Sequence, residues 1–196
     1  MSWSVFPLDL DNPAHLRILA TRLRDRARAV AAAASAPAGH LQNRIGDETS
    51  NLADLLADLT FAVTWQLDEA ARHPRQHTPE LRRGTAAVAR AAIPVGLALA
   101  GLGQAVAQLG ALHTLDAYEP TDEQQAAVQH TRQCLDTTLL AASAQLAAAA
   151  EHMSHDVDLV DDRPRRPPTP SEIAAHASAT TLPQVPLTPS GPNPAR

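Results

Sequence analysis

The residues whose types and spacing best suit chemistry are histidines. "HPRQH" holds His73 and His77, and "EHMSH" holds His152 and His155, with Glu80, Glu151 and Asp156 nearby in sequence. Neutral imidazoles backed by carboxylates bind zinc or nickel, and imidazoles titrate together near pH 6.5. His73, His77, His152 and His155 are therefore the metal candidates, against the plainer reading that they are solvated polar residues at the end of a fold. No other chemistry stands out. Ser35, Ser50 and Ser143 lack a glycine elbow, and no glycine loop suited to phosphate follows a strand. Cys134 is the only cysteine, which excludes an intramolecular disulfide and a cysteine-based zinc site, and it lacks a sequence-local activating residue. The Glu-x-x-His pairs of di-iron bundles are absent from the helix interiors. The expectation is a protein that is not an enzyme and carries no cofactor.

Four helices must position these residues. Asn12 caps the first, Pro13 occupies its first position, and Leu16, Leu19, Leu23, Ala27, Val30 and Ala34 form its apolar stripe until Pro37 and Gly39 break the pattern. The second covers about 41–72, with Ile45, Leu52, Leu56, Leu59, Val63, Leu67 and Ala70 on one face. Thr78 caps the third, which starts at Pro79 and has no strong stop before "YEP" at 118–120. Thr121 and Gln124 form a capping box for the fourth, whose inward positions are Val128, Leu135, Leu139, Ala142, Leu146, Ala149 and Met153. No period-2 pattern competes over the first 157 residues. Long helices with short connections predict an all-α, antiparallel up-down-up-down four-helix bundle over 13–157, preceded by an extension over 1–12. That topology brings His15, His73, His77, His152 and His155 to one end.

The third helix poses a separate problem. Residues 91–112 contain no charge, yet include four glycines, a proline and two glutamines. Each interior glycine costs roughly 0.5–1 kcal/mol relative to alanine. Leu81, Val88, Val95, Leu99, Leu102, Val106 and Leu109 supply a stripe for the core. Gly96, Ala100, Gly103, Ala107 and Gly110 make a second stripe of small residues, which suits close approach of another backbone. Three uses are open: packing on the alanine-rich end of the fourth helix, self-association or partner binding, and membrane entry. The length of 91–112 meets the roughly 20-residue requirement for a span, but Gln104, Gln108 and Pro94 argue against one.

Composition bounds the function classes. All 16 basic residues are arginine and the net charge is −5, which argues against nucleic acid as a partner. Aromatics are only 3% of the chain, so helices pack through small side chains. Arg17, Arg22, Arg24, Arg26 and Arg28 on the first helix suit Asp47, Glu48, Asp54 and Asp58 on the second. Nine of the 16 prolines lie between Pro164 and Pro194, so 158–196 reads as a disordered tail. Within it Pro183, Pro186, Pro189 and Pro192 repeat with the period of polyproline II, as in ligands of aromatic grooves. The start "MSWSVFPLDLDNP" has no basic segment before an apolar one, which points to the cytoplasm.

"NPAHLRILATRLRDRARAV" resembles the opening helix of the small helical substrates of type VII secretion, and "YEPTD" fits the Tyr-x-x-x-Asp spacing of their export signal. The Trp-x-Gly turn of that family is missing between the first two helices. The resemblance implies an exported helical effector as one alternative. A metal- or pH-sensing bundle is another. The reading that takes in most of the residues is a non-enzymatic interaction protein that binds a protein partner or itself through the small-residue face of the third helix, with the proline-rich tail as a second element.

Overall fold

A computed structural model describes residues 9–36, 38–115 and 121–161. The chain divides between Asp162 and Arg163, and everything described belongs to the first unit. Four helices follow in order: α1 (Pro13–Ala34), α2 (Ala38–Arg72), α3 (Pro79–Leu115) and α4 (Asp122–Asp161). They pack into an all-α bundle with no strand among the described residues. The caps form as their sequences dictate. Asn12 Oδ1 accepts the Ala14 N–H at 3.0 Å. Thr78 Oγ1 accepts the Leu81 N–H at 3.1 Å. Thr121 and Gln124 close a reciprocal box, with 3.0 Å from the Thr121 N–H to Gln124 Oε1 and 3.2 Å from the Gln124 N–H to Thr121 Oγ1.

The contacts between helices are antiparallel. As α3 ascends, its partners on α4 descend: Arg90 meets Asp156, Gly101 meets Ala142, and Gln108 meets Thr138. Likewise α1 runs against α4, with Arg17 at Asp158 and the Ser143 hydroxyl donating to the Ala27 carbonyl at 2.8 Å. The α2–α3 pair follows the same rule, bringing Leu56 to Gly96.

The core is continuous through all four helices. Leu16, Leu19, Leu23, Ala27 and Val30 of α1 are buried, as are Ile45, Leu52 and Leu59 of α2, and Leu135, Leu139, Ala142, Leu146, Ala149 and Met153 of α4. Leu10 also joins this core, so the segment before α1 is not a free extension over its last residues. It crosses α3 at Gly84, where an added Cβ would overlap the Leu10 carbonyl oxygen. Only glycine fits that crossing.

Several expectations need correction. Gly39 lies inside the first turn of α2 rather than stopping a helix. A first turn donates no intrahelical N–H bonds, so it tolerates glycine. Leu67 was expected in the core but is 59% exposed, and Val106 is likewise exposed. Helix length explains Leu67. α1 has 22 residues and α2 has 35, or about 33 Å against about 52 Å. The last turns of α2 therefore outrun α1, which leaves α3 beside them among the described residues. α4 continues to Asp161, past the expected boundary at 157.

Candidate interaction surface

α3 carries two faces lined with small residues. The buried one consists of Ala87, Ala91, Pro94, Ala98 and Ala105, and it faces the alanine-rich part of α4. Gly101 belongs to that seam: a Cβ there would stand 3.3 Å from the Ala142 Cβ, tighter than ordinary contact. Small side chains on both helices let the two backbones come close and recover dispersion contacts.

The other face carries the residues singled out by spacing, and it points elsewhere. Added Cβ atoms at Gly103 and Gly110 would meet nothing within 4 Å, and one at Gly96 would meet only Leu56 Cδ2 at 3.9 Å. Ala100, Gly103, Ala107 and Gly110 are exposed. Of the three uses open to this stripe, packing inside the bundle is thus excluded for these residues. The seam with α4 forms about 100° or more further round the helix.

Two large apolar side chains stand on the same outer surface, Ile93 at 67% and Leu97 at 55% exposure. On α2, Ala53, Ala57, Thr60 and Thr64 are exposed on the flank that carries Leu56. The Thr60 hydroxyl donates to the Leu56 carbonyl and the Thr64 hydroxyl to the Thr60 carbonyl, both at 2.7 Å. Their polar demand is met within the helix, so they present methyl groups. The combined α2–α3 outer face is uncharged from Ile93 to Ala107. Further round α2, Phe61 and Trp65 stack with ring centroids 6.4 Å apart, Phe61 being 69% exposed. Sequence reasoning missed this pair because it lies off the apolar stripe. The signal was an aromatic pair at i,i+4, which always meets on a helix.

The histidine end does not assemble. His73 lies 3.8 Å from Glu69 of its own helix, and His152 and His155 are exposed on α4. Among the described residues, no group of three or more His, Cys, Asp or Glu could hold a metal ion. The candidates His73, His77, His152 and His155 form no such group. His77 differs from the others in being buried. Cys134, read as lacking a sequence-local activating residue, has His130 Nε2 at 3.6 Å from its sulfur, one helical turn away.

Between α1 and α2, Arg26 holds Glu48 through bonds of 3.0 and 3.2 Å, while Arg28 turns to Asp25 and Arg24 donates to the Ser154 hydroxyl on α4. Burial, helped by the neighbouring Asp54 charge, raises the pKa of the Asp58 carboxyl above its ordinary 3.8. Gln108, which argued against a membrane span, donates to Thr138 Oγ1 at 3.3 Å and leaves its Oε1 buried without a partner. α3 is nonetheless long and apolar enough to cross a membrane by length and composition, with 33% of its most apolar window buried in the bundle. Pro183, Pro186, Pro189 and Pro192, and Tyr118 of the "YEPTD" stretch, lie outside the described residues. No protein-family model matches the chain, and searches of curated proteins and of solved structures likewise found no match.

Proposed function

We propose that this protein is a non-enzymatic helical bundle that works by association, with the uncharged outer face of α3 as its binding face and a second copy of the chain as the occupant. The observation that carries this reading is the placement of large and small residues about Ala100. Ile93 and Ala107 are equidistant from it in sequence, and so are Leu97 and Gly103. A two-fold axis at Ala100 sets two antiparallel α3 helices together, so that Leu97 of each copy enters the gap at Gly103 of the other and Ile93 meets Ala107. Such a self-complementary patch is what a two-fold interface requires. No charge has to be desolvated to close this face, and the open space at Gly103 gives the large side chain somewhere to go.

Sedimentation of the full chain over a range of concentrations tests this. A reversible dimer is expected, and Gly103→Leu should weaken it by at least about tenfold, since overpacking one contact costs about 1–3 kcal/mol. A parent that stays monomeric at all concentrations contradicts the reading. One rival has an observation behind it, the apolar length of α3. Lipid vesicles that bind a monomeric parent, and release it when Leu97→Asp is introduced, would favour that rival.

A further inference from the structure

Aromatic residues are scarce in this chain, and the two among the described residues, Phe61 and Trp65, both stay out of the core. They stand one turn apart on the outward side of α2, each more than half exposed, and stack on one another. Aromatic side chains left at a surface are costly in water and are enriched where proteins bind partners. Towards the start of α2 the same side continues into carboxylates. Asp54, Asp58, Phe61 and Trp65 are spaced by four, three and four residues, so they form one stripe about 16 Å long.

The neighbouring carboxylates of α2 find cations within the bundle. Arg26 holds Glu48, Asp68 lies 3.5 Å from Arg72, and Glu69 lies 3.8 Å from His73. Asp54 and Asp58 make no ion pair among the described residues. Asp58 is half-buried beside Asp54, and both its burial and that charge disfavour its ionised form, so a cation arriving here would relieve the pair. We infer that this stripe docks an arginine-rich segment of a partner protein, its guanidinium groups lying on the rings of Phe61 and Trp65 and pairing with the carboxylates of Asp54 and Asp58. The carboxylates select a cation, and the rings select arginine over lysine: a planar guanidinium stacks on an aromatic face and forks onto a carboxylate, whereas an ammonium is a compact, strongly hydrated point charge. This face is separate from the uncharged α3 face around Ala100 and does not rest on self-association.

Hexa-arginine is the probe, with hexalysine as the control of equal charge. Titration of the full chain at about 0.15 M salt, which screens diffuse surface attraction, should show saturable binding of hexa-arginine, with hexalysine at least about fivefold weaker. Trp65→Ala, and separately the double variant Asp54→Asn/Asp58→Asn, should each weaken hexa-arginine by about fivefold. Trp65 and Asp54 are exposed and Asp58 half-buried, so both variants keep their thermal transition. Amide shifts that follow the titration should centre on residues 54–68, and Trp65→Ala should leave the self-association of the full chain unchanged. No saturable binding, hexalysine bound as tightly as hexa-arginine, or a Trp65→Ala variant that binds hexa-arginine as the parent does, would each overturn the assignment. A fall in dimer fraction with Trp65→Ala would overturn it too, by giving the face to a second copy.

Discussion

The two small-residue faces of α3 differ in what they meet and in the residue that recurs along them. Ala91, Ala98 and Ala105 recur every seven residues and are buried against the bundle, while Gly96, Gly103 and Gly110 recur with the same spacing and look outward. Spacing therefore states that a helix has a smooth face without stating what is pressed against it. The inner face uses alanine, which favours the helix and still permits close packing. The outer face uses glycine, which costs helix stability, and within a single copy of the bundle nothing offsets that cost. On the reading proposed above, the glycines gain a purpose when a second copy arrives.

The sharpest contrast between the two faces is a pair of leucines on one helix. Leu102 is 1% exposed and Leu97 is 55% exposed. Leu102→Ala should cost about 2–5 kcal/mol of folding stability, whereas Leu97→Ala should cost well under that in the monomer. Urea denaturation at low concentration measures both. Equal losses would mean that Leu97 is held as firmly as Leu102 and would break the distinction between inner and outer faces.

Gly84 extends the inner face towards the N-terminal segment. Gly84→Ala places a methyl group on the Leu10 carbonyl oxygen, and relieving that overlap should cost about 1–3 kcal/mol, the usual range for overpacking. Thermal melting would report it, and an unchanged melting temperature would show that residues 9–12 do not hold their place against α3. The smallest effect has the opposite sign. Gly103→Ala meets open space, so it should stabilise the isolated bundle by about 0.5–1 kcal/mol through helix propensity. Denaturation under dilute, monomeric conditions gives the answer, and a loss of stability would place an intramolecular neighbour at that face.

Much of the fold was legible because its signals are local. Asn12, Thr78 and the Thr121–Gln124 box each cap the helix that follows them, and a cap is decided within four residues. Leu16 through Val30 and Leu135 through Met153 fall inward because a 3.6-residue period admits one buried stripe. The failures are global. Leu67 sits on the correct stripe of α2 but beyond the end of α1, and only the relative lengths of two helices reveal that. His77 shares its turn with the exposed His73, and no spacing separates a buried imidazole from a solvated one. The crossing at Gly84 depends on Leu10, far away in sequence, so a glycine that the fold requires was passed over in favour of Gly103 and Gly110, which meet open space.

The central claim is that Leu97 of one copy fills the space at Gly103 of another, and exchanging the two residues tests it most directly. Gly103→Leu and Leu97→Gly should each reduce the dimer fraction measured by sedimentation. The double variant Leu97→Gly/Gly103→Leu again sets a leucine against a glycine across the two-fold axis, and it should restore association towards the parent level. A double variant that associates no better than Gly103→Leu alone, with its thermal transition intact, would contradict the account.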